Sequence, residues 1–165
     1  MDESEKQTQS INNLPKNFTG NHLSVGAYGE TLAVRYLQKI GYRIVATNFT
    51  APIGYGTSGR AVTGEIDIIA YDERQSPFAL TFVEVKTRTS AEFARPESAV
   101  DLQKQRHIIK TARIFRRLLR LEGVTYRYDV ISIVLSEPQH PEIYLLPSYF
   151  TEQMFVQSHW YRRSF

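Results

Sequence analysis

Apolar and polar positions along the chain change between a helical and a strand period, and these changes mark the predicted elements. The pattern predicts a helix over 24–40, strands over 42–50, about 64–71 and about 78–87, a helix over about 101–121, and two strands in "TYRYDVISIVL" and "EIYLL". Ser24 is the expected N-cap of the first helix, and Gly41 and Gly123 are expected to end the two helices. The order helix, three strands, helix, two strands predicts an α/β fold with one central sheet flanked by helices.

Segments without either period separate these elements. Residues 1–22 are polar and are expected to form a flexible N-terminal arm. The stretch 51–63, "APIGYGTSGRAVT", is rich in Gly, Ser and Thr and predicts a long loop. Residues 148–165 form an aromatic C-terminal tail without a clear period. The predicted globular domain therefore spans residues 23–147.

Ionisable groups interrupt two of the apolar strands. Asp67 lies within "GEIDIIA", and Glu84 and Lys86 lie within "FVEVKTR". A hairpin centred on Gln75 and Ser76 would place Asp67 opposite Glu84, with the two Cβ atoms about 5 Å apart. Two half-buried carboxylates at that separation repel each other unless a proton or a cation lies between them. The pattern therefore indicates a site for a hard divalent ion such as Mg²⁺, with Lys86 beside it.

The strand period also assigns side chains to the two faces of the sheet. Strict alternation places Ile66 and Ile68 on one face of their strand, and Asp67 together with Glu65 on the other. Glu65 is expected to have a structural role, paired with a basic side chain. Because both faces carry apolar residues, the sheet is expected to be covered on both sides.

Two further charged side chains are expected to point toward this pair of acids. Glu30 lies on the inward face of the first helix, among small and apolar residues, where a carboxylate needs a partner. Lys104, at the start of the long helix, lies on that helix's apolar face. Both are therefore candidates for the cluster around Asp67 and Glu84.

Positive charge is concentrated on the long helix. The chain has 20 Lys and Arg residues and 17 Asp and Glu residues. Between residues 101 and 127 there are eight basic residues and only two acidic ones. A basic stripe at helical spacing comprises Arg106, Lys110, Arg113, Arg117 and Arg120. Such a stripe is often only a solvated helix face, and the alternative is contact with a phosphate backbone.

Composition excludes several classes of function. The chain has no cysteine, which excludes disulfides and thiolate metal sites and fits a reducing cytoplasm. The polar N-terminus lacks an apolar signal core, and no segment has the roughly 20 apolar residues of a membrane span. The four histidines have no ligand spacing among themselves. Asp129 interrupts a strand and is either a satisfied core acid or an outer partner of the site.

The segments "VGAYGETLAVRYL", "GEIDIIA", "FVEVKTR" and "RPESAV", followed by a lysine and an arginine, resemble the YraN family of bacterial proteins over roughly residues 24–135. That family is described as distantly similar to archaeal Holliday-junction resolvases in the PD-(D/E)xK nuclease superfamily. The resemblance implies a restriction-endonuclease-like fold with a mixed central sheet. It also implies that Glu30, Asp67 and Glu84 hold Mg²⁺ or Mn²⁺, that Lys86 assists water attack on a phosphodiester, and that Lys104 is the basic residue of the following helix.

The sequence thus leads to a metal-dependent endonuclease acting on DNA, with branched or junction DNA as the narrower expectation. Expected catalytic residues are Glu30, Asp67, Glu84 and Lys86, and expected nucleic-acid contacts are Lys104, Arg106, Lys110, Arg113 and Arg117. A homodimer is compatible with junction cleavage, which needs two sites. One alternative is a non-catalytic nucleic-acid-binding or adaptor domain on the same scaffold. Another is a protein-interaction module that uses the aromatic tail.

Overall fold

The structure, a computed structural model, describes residues 22–89, 100–136 and 140–155. Its elements are α1 (His22–Lys39), β1 (Tyr42–Tyr55), β2 (Ala61–Asp72), β3 (Ala79–Arg88), α2 (Leu102–Leu118), β4 (Tyr126–Val134) and β5 (Glu142–Phe150). The predicted order of elements is confirmed. The predicted arm, apart from His22, and the tail beyond residue 155 lie outside the described residues. Among the described residues, no helix is long and apolar enough to cross a membrane.

The strands form one mixed five-stranded sheet in the order β1-β2-β3-β4-β5. All neighbouring pairs are antiparallel except β3 and β4, which are parallel. Parallel neighbours need a crossover connection, and α2 provides it. The sheet extends into the segment that the sequence set apart as a tail, because β5 continues to Phe150.

Helices cover the two faces of the sheet and create two apolar cores. The core beneath α2 contains Ile66, Ile69, Phe82, Ile108, Ala112, Phe115 and Tyr128, with others. The core beneath α1 contains Leu32, Ala33, Leu37, Ile68, Val83, Val85 and Ile131, with others. The expectation of a sheet covered on both sides is therefore confirmed, which explains the apolar residues on both faces of β2 and β3.

Helix α1 packs closely against β3. A Cβ atom added to Gly29 would lie 1.8 Å from Oγ1 of Thr87, so only glycine permits this approach. The expected terminator, Gly41, has a φ of 92° directly after the helix. The expected N-cap is wrong, since Ser24 lies inside a helix that begins at His22.

Helix α2 begins at a well-formed cap and ends earlier than predicted. The side chain of Asp101 accepts a hydrogen bond from the backbone N–H of Lys104 at 2.8 Å. The expected terminator, Gly123, is wrong, because the helix ends at Leu118. Arg120 instead adopts the left-handed conformation, with φ 54°. An arginine therefore takes the left-handed position after the helix that glycine usually occupies.

The predicted loop over residues 51–63 is wrong. Strand β1 continues to Tyr55 and β2 begins at Ala61, so that only residues 56–60 form the turn. The two strands pair from Ala51 with Gly64 to Tyr55 with Ala61. A segment rich in turn-forming residues is therefore a β-hairpin, because pairing between its own halves satisfies the backbone.

The expected alternation of faces fails within β2. Ile66 packs in the core beneath α2, whereas Ile68 packs in the core beneath α1, so the two do not share a face. The break falls at Asp67, across from Asn48, whose φ is 51°. No pair between Asn48 and Asp67 is formed, although their neighbours on both sides pair. The change of face in β2 therefore coincides with an irregular backbone position in β1 and with the acid of β2.

Ion pairs and hydrogen bonds connect charged side chains at the end of the sheet that carries Asp72. Asp72 accepts hydrogen bonds from the guanidinium groups of Arg74 and Arg127 at 2.8 Å. Asp129 is fully buried and accepts from Arg127 Nε at 2.9 Å and from the backbone N–H of Ser148 at 2.9 Å. Asp129 is therefore a satisfied core acid, the first of the two roles that the sequence left open.

Candidate active site

The candidate site lies where β2 and β3 separate. Their ladder runs from Asp72 paired with Ala79 to Ile68 paired with Val83, and these pairs have the register that the turn predicted. The next opposed residues in this register are Asp67 and Glu84. Beyond this point β2 remains paired only with β1, while β3 continues alongside β4. The two strands therefore form a fork with one acid on each branch.

Asp67 lies at the fork, where its side chain takes the place of a backbone hydrogen bond between β2 and β3. Its Oδ2 accepts a hydrogen bond of 2.7 Å from the backbone N–H of Val85. The pKa of Asp67 is raised to about 7, chiefly by burial and then by the nearby charge of Glu84, against the opposing effects of the Val85 N–H and of Lys104. The fold therefore holds a carboxyl group in a place that disfavours its charge, which is typical of functional sites.

Glu84 is the buried centre of the cluster, with only 2% of its surface exposed. The ammonium group of Lys86 lies 2.9 Å from Oε1, and that of Lys104 lies 3.1 Å from Oε2. Oε2 is buried, and Lys104 is its ion-pair partner. The carboxylate is thus compensated by charge on both sides, as a buried charge requires.

Lys104 reaches this cluster from the first turn of α2. The expectation that it faces the sheet is confirmed by its contact with Glu84. Burial lowers the pKa of Lys104, but the carboxylates of Glu84 and Asp67, with a smaller effect from Glu65, more than offset this, so that the pKa is raised. Lys104 is therefore a permanent cation of the site. Glu65 itself is exposed and acts on Lys104 through charge.

Glu30 approaches the same cluster from α1. It is half-buried, directly follows the Gly29 that contacts Thr87, and adds a small charge effect that raises the pKa of Asp67. Within the described ranges 22–89, 100–136 and 140–155, no three His, Asp or Glu side chains are grouped closely enough to hold a metal ion. Glu30 therefore influences the acidic pair electrostatically without joining it in one ligand group.

The donor set of the fork nevertheless fits a hard divalent cation. Asp67 and Glu84 present only oxygen donors, and Mg²⁺ is commonly bound through one or two carboxylates with water and phosphate oxygens as the other ligands. The charge of Glu84 raises the pKa of Asp67, a repulsion that a bound cation would relieve. A cation would have to compete there with the ammonium groups of Lys86 and Lys104.

The basic stripe of α2 is partly engaged by the end of the described chain. Arg113 forms an ion pair with Glu152, and the guanidinium group of Arg106 lies 5.3 Å from the ring centre of Phe155. Lys110 and Arg117 are exposed. The five residues of the predicted stripe therefore do not form one helix face, because Arg106 and Arg113 contact the C-terminal segment and Arg120 lies beyond the end of α2.

Sequence reasoning missed the role of Glu152. Its carboxylate accepts hydrogen bonds from the hydroxyl groups of Tyr126 at 3.2 Å and Tyr128 at 2.7 Å, besides the pair with Arg113. Burial raises the pKa of Glu152, but its bonds to Arg113 and the two tyrosines outweigh this, so the pKa is lowered. No period in the sequence connects this acid to α2, and only the tertiary fold brings them together.

Comparison with known proteins relates the chain to one family of sequences. The model of "Uncharacterised protein family UPF0102" matches residues 29–133, which include Glu30, Asp67, Glu84, Lys86 and Lys104. A UPF0102 protein of Caldanaerobacter subterraneus is 39% identical over 116 residues, covering 70% of this chain and 84% of the relative.

Two other relatives show similar coverage. A UPF0102 protein of Trichlorobacter lovleyi is 40% identical over 127 residues, covering 77% of this chain and 90% of the relative. A UPF0102 protein of Chlorobium limicola is 38% identical over 137 residues, covering 83% of this chain and 92% of the relative. The chain therefore belongs to the UPF0102 family, also called YraN.

Proposed function

We propose that this protein is a divalent-metal-dependent phosphodiesterase that cleaves DNA on a restriction-endonuclease-like scaffold of the PD-(D/E)xK type. One observation supports it above all others: Asp67, Glu84 and Lys86 meet at the fork between β2 and β3. The register of β2 and β3 explains why positions 67 and 84 are opposed, but folding does not require acids there, since a well-packed apolar pair is often at least as stable as buried charges.

Each residue of the fork has a role in the proposed reaction. Asp67 and Glu84 bind the metal through carboxylate oxygens, and Glu30 adds negative charge from α1. A bound Mg²⁺ or Mn²⁺ supplies a Lewis acid that polarises a phosphoryl oxygen and acidifies a water molecule. Lys86, held by Glu84, stabilises negative charge that develops on the phosphate or orients the attacking water. Lys104 supplies a second positive charge for the anionic substrate.

Exposed basic residues on α2 support a nucleic-acid substrate. The exposed Lys110 and Arg117 of α2 offer charges for a phosphate backbone beyond the reacting phosphate. We propose DNA as the nucleic acid, with branched or junction DNA as the narrower class, and a cytoplasmic location. A homodimer would present the two sites that junction cleavage requires.

A cleavage assay tests this function. Labelled four-way-junction and linear DNA are incubated with the protein in Mg²⁺, Mn²⁺ or EDTA, together with Asp67→Ala, Lys86→Ala and, as a matched control, Lys39→Ala at the exposed end of α1. We expect cleavage by the unmodified protein and by Lys39→Ala with either metal, and none in EDTA. Loss of at least a hundredfold is expected for the two site variants. Equal behaviour of all four proteins would refute the proposal.

The alternative function is a non-catalytic nucleic-acid-binding domain, and one observation favours it. Both oxygens of Glu84 already have a lysine ammonium group nearby, so the cluster is charge-compensated without a metal. This alternative predicts salt-sensitive DNA binding that is unchanged by EDTA and is weakened by Arg117→Glu. It also predicts no cleavage under any condition of the assay above.

A further inference from the structure

The distal hairpin, defined as residues 51–64 at the outer end of β1 and β2, has no role in the site described above. Its strands pair with each other beyond the last contact between β2 and β3, so that it extends past the fork. Because β2 is antiparallel to β3, it extends at the end of the sheet that carries Glu84 and Lys86. From Asp67 to Ala61, β2 spans six residues, or roughly 20 Å.

The base of the distal hairpin is held firmly against α2. A Cβ atom added to Gly64 would lie 2.1 Å from Oγ1 of Thr111, which is fully buried. Ala51, paired with Gly64, is also buried. The base of the hairpin is therefore packed on α2, the helix that also carries Lys104.

The tip is exposed and has a distinctive chemistry. Tyr55 is 81% exposed, the largest exposure among the large hydrophobic side chains of the described residues. The turn is closed by hydrogen bonds from Gly56 N–H to Arg60 O at 2.8 Å and from Gly59 N–H to Gly56 O at 2.9 Å. Arg60 is exposed, and residues 51–64 contain no acidic residue. The tip of the hairpin thus exposes an aromatic ring, a guanidinium group and two hydroxyl side chains, and residues 51–64 carry no negative charge of their own.

We propose that the distal hairpin binds unpaired bases of the nucleic acid, with Tyr55 stacking on a base and Arg60 contacting a neighbouring phosphate. Proteins bind single-stranded segments with exposed aromatic rings and with cations along the same surface, because every base has a face for stacking and every nucleotide carries a phosphate. Bases inside a duplex are already stacked, so the hairpin selects substrates with unpaired or splayed nucleotides. This inference rests on the nucleic-acid part of the proposed function and adds its specificity determinant.

Fluorescence anisotropy in EDTA tests the inference without requiring cleavage. The probes are labelled oligonucleotides: a single strand, a blunt duplex and a duplex with an unpaired flap. The variants are Tyr55→Ala, Tyr55→Phe and Arg60→Ala, and the control is Tyr144→Ala, which removes a 45%-exposed tyrosine from β5.

We expect Tyr55→Ala to weaken binding of the single strand and the flap roughly tenfold, with less than a twofold effect on the blunt duplex. Tyr55→Phe keeps the stacking face and is expected to bind as the unmodified protein does. Arg60→Ala should weaken binding to all probes and reduce the slope of log affinity against log salt by about one. Tyr144→Ala should bind normally.

Several results would overturn the inference. It fails if Tyr55→Ala binds every probe as tightly as the unmodified protein does, or if its affinity for the blunt duplex falls as much as its affinity for the flap. A change of mass in solution on Tyr55→Ala would instead make the hairpin a contact between copies of this chain. Binding without cleavage would refute the proposed phosphodiesterase but leave this inference intact, whereas an unmodified protein that binds none of the probes would refute both.

Discussion

Replacing Asp67 by asparagine should stabilise the protein at alkaline pH. Asparagine keeps an oxygen that can accept the hydrogen bond from Val85 and removes the charge that burial and Glu84 disfavour. A pKa raised from 3.8 to about 7 means that the ionised carboxylate costs roughly 4 kcal/mol at high pH. The amide of asparagine brings a new donor whose burial costs about 1–3 kcal/mol. The expected net gain in unfolding free energy is therefore about 1–3 kcal/mol.

The pH dependence distinguishes this effect from ordinary repacking. The folded state holds the proton of Asp67 more tightly than the unfolded chain does, so this group lowers stability progressively as pH rises from about 4 to about 7. The advantage of Asp67→Asn should therefore be complete near pH 8, whereas near pH 4, where Asp67 is protonated, only the burial cost of the amide donor remains and the variant should be about 1–3 kcal/mol less stable than the unmodified protein. Urea denaturation followed by circular dichroism at both pH values measures it, and Tm should rise by about 2–4 °C per kcal/mol.

Asp72→Asn is the matched control, since Asp72 is a second buried acid on the same strand. Hydrogen bonds from Arg74 and then from Arg127, against the effect of burial, lower the pKa of Asp72 well below its usual range. The ionised carboxylate of Asp72 stabilises the folded protein above about pH 4, and this stabilisation is lost only in stronger acid. Asp72→Asn should therefore destabilise the protein from pH 5 to pH 8. The reasoning is refuted if Asp67→Asn is less stable than the unmodified protein at pH 8, or if its difference is the same at both pH values.

Two further predictions concern the scaffold. Gly29→Ala should lower the free energy of unfolding by about 1–3 kcal/mol, because its Cβ would lie 1.8 Å from Oγ1 of Thr87. The double variant with Thr87→Ala should recover part of this loss. Gly26→Ala is the control and should not destabilise the protein, because its Cβ would have nothing within 4 Å. Thermal unfolding compares them, and an unaffected Gly29→Ala would contradict the packing. Arg127→Met should cost about 3–5 kcal/mol at pH 8 and less at pH 4, since it leaves the buried Asp129 without its counterion. Urea denaturation measures this, and a loss independent of pH would argue against it.

The sequence predicted the parts of the fold that depend on local periodicity and turn position. The turn alone determined the register of β2 and β3, because antiparallel pairing leaves no freedom once its centre is known. It also predicted that Lys104 faces the sheet, since helical periodicity determines which side of α2 a residue occupies.

The remaining features depend on contacts between distant segments. The segment 51–63 has the composition of a loop, yet it pairs with itself as strands and packs on α2 through Gly64. The faces of Ile66 and Ile68 differ where β2 lacks a pair with Asn48 of β1, whose φ is 51°. A pattern within one strand does not carry that information.

The candidate site was predictable in its residues but not in its geometry. The sequence identified Asp67 and Glu84 as opposed acids, but it did not reveal that the ladder ends there. It also did not reveal that the N–H of Val85 bonds to Asp67, or that the ammonium groups of two lysines lie beside Glu84. These features depend on β4, which pairs with β3 where β2 does not, and on α2, the crossover helix that carries Lys104.

Binding of Mn²⁺ tests the central claim most directly, since it examines the fork without any assumption about the substrate. Electron paramagnetic resonance counts bound ions for the unmodified protein, Asp67→Asn, Glu84→Gln and the control Asp72→Asn, at a temperature where all four are folded. The account predicts one bound ion in the unmodified protein and in Asp72→Asn, and a strong loss in the other two variants. Unmodified protein that binds no Mn²⁺, or Glu84→Gln that binds it with unchanged affinity, would contradict the account.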